Sequence, residues 1–271
     1  MEHQIVELHF SKLPHYDWDA IKVHAEAILG DELDNSRSKG NSFSLFHKKH
    51  LVKYKNGGCG FPVQTALFTA HKSIDIQCYA ADIEQSWGFR DCESALKKSR
   101  YTLLVTEMMA ASADPIQRIR LFHGVLQAVI EATQPNALVF KHSQQVVRPD
   151  VYLAAVDEEP IKRPGSMNVR FFNIANSEGD MLMDTRGLHE IGRHDLQCHF
   201  RDLDPNEVSN LLFNTAVYIF ENGSVIESGN TIAGIEPDSK WVCQFENSLL
   251  EPQRELLDLN PGFPYASGNR Q

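Results

Sequence analysis

Residues 195–220 read Asp195-Leu-Gln-Cys-His-Phe-Arg-Asp-Leu-Asp-Pro-Asn-Glu-Val-Ser-Asn-Leu-Leu-Phe-Asn-Thr-Ala-Val-Tyr-Ile-Phe220. The first nine positions predict a strand. Asp204-Pro205 then starts a helix: Asp caps free amides, Pro suits the first helical position, and Glu207 follows the cap by three residues. Val208, Leu211, Leu212, Thr215 and Ile219 share its apolar face, and Gly223 stops it. The same order occurs about ninety positions earlier. Residues 101–109 form an apolar, β-branched run, Asp114-Pro115 starts a helix, and 137–140 read as a strand. Two such blocks predict an α+β fold of mostly antiparallel sheets with packed helices; they read either as two α+β units of related design or as two separate uses of a common Asp-Pro helix start.

Around these blocks, alternation predicts a strand at Ile5–Phe10, and helical spacing of Ile21, Ala25 and Ile28 predicts a helix from Trp18 to Leu29, stopped by Gly30. Short strands are expected at 43–47, 51–54, 167–174, 225–226 and 231–232, a helix at 85–98, and a polar surface loop at 31–41. Residues 157–166 are charged, carry Pro160 and Pro164, and lack periodicity, which makes them the natural boundary. The expected division is therefore 1–156 and 167–259, tightly packed, with 260–271 as a fraying, flexible tail.

At 271 residues the chain can bury a sizeable core. The N-terminus is charged and alternating, unlike a secretion signal, and no apolar run approaches the ~20 residues that span a bilayer. The expectation is a soluble cytoplasmic protein that does not contact membranes. Five cysteines without a C-x-x-C pair suggest neither a disulfide framework nor a zinc knuckle. The net charge of −10 is unevenly placed: residues 1–150 carry 17 basic and 17 acidic side chains, residues 151–271 carry 9 and 19. An acidic half argues against nucleic acid as a ligand and suits a basic protein partner, or simply a well-solvated surface.

Chemistry-bearing residues concentrate between 184 and 207. His189, His194 and His199 are spaced by five, with Asp184, Asp195 and Asp202 among them. Five residues lie ~140° off register on a helix, and on a strand they point to opposite faces, so no metal site is expected. Asp184-Thr185-Arg186-Gly187-Leu188 reads as a capped turn after a short strand, or as an acid presented at a strand end. The glycine-rich stretch Gly57-Gly58-Cys59-Gly60 fits no phosphate-loop pattern. Cys59 as a nucleophile would need a base such as His50 or His71, and nothing local supports that. Asn222-Gly223-Ser224 reads as a helix-ending turn. No cofactor motif occurs.

The set Asp184-Thr185, Gly187-Leu188, Gly192, Asp195-Leu196-Gln197, Asp204-Pro205, Tyr218, Gly223, Gly229-Asn230-Thr231, Trp241-Val242 and Ser248-Leu249-Leu250-Glu251-Pro252-Gln253-Arg254 resembles an uncharacterised bacterial family, catalogued as domain of unknown function 4261. The 101–152 part fits more loosely, through Asp114-Pro115 and Arg118. The resemblance implies a soluble α+β protein without agreed catalytic residues and gives His189, His194 and His199 no role. Some related uncharacterised families belong to bacterial toxin–immunity loci, an analogy at family level.

The functional expectation is a non-enzymatic binding protein, an immunity-type inhibitor that occludes the active site of a cognate, basic toxin. Its partner-binding residues are expected among Asp184, Arg186, His189, His194, Asp195, His199, Asp202 and Glu207. The alternatives are a hydrolase with a site around Asp184 and His189, and a structural or stress-related scaffold.

Overall fold

The computed structural model describes residues 3–37, 42–53, 60–70 and 75–268. The glycine-rich turn at 57–59, with Cys59, and His71 lie outside the described residues. The chain divides into two compact units, 1–166 and 167–271. Both are α+β, with six helices and thirteen strands among the described residues and mostly antiparallel sheets.

Unit 1 is built on β1 (Ile5–Phe10), β2 (Asp34–Arg37), β3 (Ser42–Val52), β4 (Phe61–Ala70), β5 (Tyr101–Met108), β6 (Ala137–Phe140) and β7 (Gln145–Val147). They form one antiparallel sheet in the order β2-β3-β4-β5-β1-β6-β7. The helices are α1 (Trp18–Leu29), α2 (Ala80–Glu84), α3 (Cys92–Lys97), α4 (Pro115–Thr133) and α5 (Pro149–Ala154). Alternation sends Val6, Leu8 and Phe10 to the face that α1 and α4 cover, where they join Ile21, Leu29, Phe122, Val125 and Leu126 in the main core. Asp114 accepts from the Gln117 amide at 3.1 Å, so the Asp-Pro start acts as the sequence implies. A smaller core of Cys92, Leu96, Ala137, Val139 and Val146 holds α3 to the other face. Beneath sheet and helix, Glu107 receives Arg118 Nε at 3.0 Å and the Gln4 amide at 2.9 Å, all three residues buried.

Unit 2 contains β8 (Asn168–Asn173), β9 (Met181–Arg186), β10 (Leu196–Phe200), α6 (Pro205–Asn222), β11 (Thr231–Ala233), β12 (Lys240–Asn247) and β13 (Glu255–Asn260). Its sheet order is β11-β12-β13-β10-β9-β8, and β10–β13 is a parallel pair. One face is apolar. It offers Met183, Leu196, Cys198, Phe200, Leu257 and Leu259, and α6 packs there through Val208, Leu212, Ala216 and Ile219.

Several expectations need correction. The 31–41 loop contains β2, an edge strand whose side chains are all exposed and so show no alternation. The strands expected at 43–47 and 51–54 are one strand, β3, interrupted by a register shift between His47 and Leu51. Of the helix expected at 85–98 only α3 is helical; residues 85–91 form a bonded turn that joins it to α2, which ends before the expected span. Residues 225–226 form no strand. The two Asp-Pro helices serve different topologies: β5 and β6 flank β1, whereas two strands separate β10 from β11. The tail expected to fray is tied down through residue 267. Arg201 N donates to Tyr265 O at 2.9 Å, Ala266 bridges Phe200, and Ser267 N donates to His199 O at 3.2 Å.

Candidate functional site

The second face of the unit 2 sheet is polar. Strand register sets Arg170, Asp184, Gln197, Asp258 and Gln244 in one row across five strands. Four of them are buried; Gln244 is exposed. Buried charge is tolerated only when paired and hydrogen-bonded, and the row is built accordingly. Asp184 takes Arg170 in a two-pronged bond, Nε–Oδ1 2.8 Å and Nη2–Oδ2 2.5 Å. Arg254, on the loop before β13, donates to Asp184 Oδ2 at 2.9 Å and Asp195 Oδ2 at 2.9 Å. The same guanidinium holds the carbonyls of Thr185 (2.9 Å) and Pro252 (3.0 Å).

Asp195 completes the frame. Its Oδ1 accepts from the Leu188 amide and from Thr185 Oγ1, each at 3.2 Å, and Thr185 Oγ1 accepts from the Leu196 amide at 2.8 Å. The 187–195 turn is thereby fastened at both ends. Within it, Arg186 Nη2 donates to Glu190 Oε1 at 3.0 Å. Burial, with the negative Asp195 adding to it, pushes the Glu190 carboxyl up from its ordinary value despite Arg186. The two anionic partners of Arg254 raise its guanidinium against the opposing effect of burial.

This arrangement sorts charge. Unit 2 carries seven basic and sixteen acidic side chains. Arg170, Arg186 and Arg254 are buried, and among the described residues of the unit Lys240 is the one exposed base. Ten acids are exposed. Six of them lie at one end of the sheet, which the register defines. The end of β10 faces the start of β9 (Phe200 opposite Met181), and β13, parallel to β10, ends opposite the start of β12 (Asn260 opposite Val242). Ala233, closing β11, faces Lys240. The turn at 174–180, the loop at 201–204, the start of α6 and the 234–239 hairpin tip therefore gather there, bringing Glu178, Asp202, Asp204, Glu207, Glu236 and Asp238. Asp180 is partly buried and pairs with Arg201 at 3.0 Å.

The expected partner-binding residues divide accordingly. Asp202 and Glu207 are exposed at this acidic end. Asp184, Arg186 and Asp195 cannot serve as surface contacts, because they are buried in the ionic frame. His189 and His194 sit in or beside the 187–195 turn at the opposite end, and the His194 ring packs on Phe245 with centroids 4.7 Å apart. His199 is partly buried on β10. Among the described residues no group of three or more His, Cys, Asp or Glu is placed to hold a metal ion.

Arg170 and Arg254 escaped the sequence reading as site residues. Arg254 closed one of the motifs that carried the family resemblance; for Arg170 no local signal existed. Residues 184–260 match the family described as Domain of unknown function (DUF4261), from the first aspartate of the frame to the end of β13. No curated protein and no solved structure matches the chain significantly.

Proposed function

We propose that the protein is a non-enzymatic binding protein, an immunity-type inhibitor acting in the cytoplasm, whose acidic unit 2 surface covers the active site of a basic cognate toxin. The observation that carries this reading is the charge sorting. Three of the unit's arginines are buried together with four of its acids, so the surface keeps the unit's negative balance with few exposed bases, and six of the exposed acids cluster at one end of the sheet. Such a field speeds the encounter with a cationic partner by ~10–10³-fold and rejects anionic ones. No helix among the described residues is long and apolar enough to cross a membrane.

The hydrolase alternative centred on Asp184 and His189 gains no support from the geometry. A general acid or base must reach substrate, whereas Asp184 is buried and held by two guanidinium groups. The test is stopped-flow association with the product of the adjacent gene. Charge reversal at Asp202 and Glu207 should lower the on-rate and its salt dependence while the fold stays intact. An on-rate indifferent to salt and to both reversals, or no binding, would refute the proposal.

A further inference from the structure

Phe263 is 99% exposed, the most exposed large apolar side chain among the described residues. It stands on the turn that follows β13. That turn is a built support: Gly262 N donates to Asn260 Oδ1 at 2.9 Å, and Tyr265 N and Ala266 N both donate to Gly262 O, at 2.9 and 2.8 Å. The Arg201–Tyr265 bond and the Phe200–Ala266 bridge fix the turn to the end of β10, immediately before Asp202. Asn260 pairs with Val242, which is 45% exposed. One sheet end thus combines an aromatic ring on a fixed support, an exposed valine on β12, and the six exposed acids.

We propose that Phe263 is the anchor of a docking surface for a protein segment that presents apolar side chains flanked by lysine and arginine. The inference rests on the reading of this acidic end as the binding surface and names its centre. Aromatic side chains dominate interface energetics where a surrounding rim excludes water. Here the support has already ordered the backbone that carries the ring, so binding does not have to order it. The charge at this sheet end selects the partner: six carboxylates would repel an anionic surface and attract a cationic one.

The test uses the full chain, labelled for amide spectra, and two synthetic hexapeptides. One carries Leu-Trp between lysine pairs; the other carries Gly-Gly at the same place. The first should perturb the amides around Phe263, Val242 and Asp202 saturably and bind more tightly than the second. Phe263→Ala should weaken it about tenfold or more, the value of burying one such side chain. The variant's remaining spectrum should be unchanged, since the ring contributes nothing to the core. Perturbations that map elsewhere, or an affinity unchanged in Phe263→Ala, overturn the proposal. So does sedimentation showing a dimer of this chain that Phe263→Ala dissolves, because the occupant would then be a second copy. The adjacent-gene assay separates the two claims. Binding there that depends on Asp202 but ignores Phe263→Ala removes the anchor and leaves the inhibitor reading. Absence of binding there, with the peptide behaving as expected, removes the inhibitor reading and keeps the surface.

Discussion

Replacing Arg254 by Met is the most direct way to ask whether the ionic frame holds unit 2 together. The side chain is 1% exposed and donates to two carboxylates and two backbone carbonyls, at 2.9–3.0 Å. Met fills similar volume, so the cost is electrostatic rather than a cavity. Asp184 retains both bonds to Arg170. Asp195 does not fare so well: it loses the guanidinium on Oδ2 and keeps only the Leu188 amide and the Thr185 hydroxyl. A buried charge left in this way costs about 3–5 kcal/mol. Against a whole-protein stability of about 5–15 kcal/mol that is a large share. Urea titration read by hydrogen exchange of β9, β10 and β13 amides would measure it. The decisive control is Arg254→Met combined with Asp195→Asn, which removes the stranded charge and should recover part of the loss. A single-variant cost under about 1 kcal/mol, or a double variant worse than the single, would refute the picture of a buried pair.

Three further outcomes are expected. Asp204 accepts from the Asn206 amide at 2.8 Å, so Asp204→Ala should cost about 0.5–2 kcal/mol in denaturant titration. Leu212, fully buried on α6, should cost more as Leu212→Ala, about 2–5 kcal/mol, and the reverse order would mean the helix is wrongly registered. His47 is buried, bonded to Thr65 Oγ1 at 3.0 Å, and pushed down by burial to about 4. The unfolded chain binds a proton as pH falls through ~6.5, but the folded histidine does not until about 4, so stability should fall with acidification across that window. His47→Gln should flatten this slope, as measured by chemical denaturation at pH 7 and pH 5.

What could be read from sequence was local. β1, α1, α4 and β6 lie where alternation, helical spacing and Asp caps place them, since each signal is complete within its own element. β2 was invisible because an exposed edge has no buried side to alternate with. The helix expected at 85–98 shortens to 92–97 because the residues before it, Gly88 among them, form a turn. At the site, the sequence located Asp184 and Asp195 but misjudged their exposure. Their burial depends on Arg170, fourteen positions before Asp184, and on Arg254, fifty-nine and seventy positions after its two partners. Those meetings require β13 to lie parallel beside β10, a pairing no local pattern encodes. Phe263 was hidden for the opposite reason: Gly and Pro composition reads as disorder, while the backbone bonds that hold the turn join it to β10.

The two sets of charge in unit 2 do different physical work. The frame pairs arginines with aspartates away from water, where salt screens little and the ions fix two loops to the sheet. It withdraws three bases together with four acids, and so leaves the unit's negative balance on the surface. The acids left outside are exposed, worth little to stability as individuals, and sensitive to ionic strength. A surface of that kind is suited to steering an encounter rather than to holding it, since charge complementarity acts mainly on association. Retention has to come from a buried apolar contact, because affinity is set largely by dissociation. Among the described residues, Phe263 is the one fully exposed aromatic side chain at the same end of the sheet. The acids and the ring are thus complementary halves of one surface, the first governing how fast a cationic partner arrives and the second how long it stays.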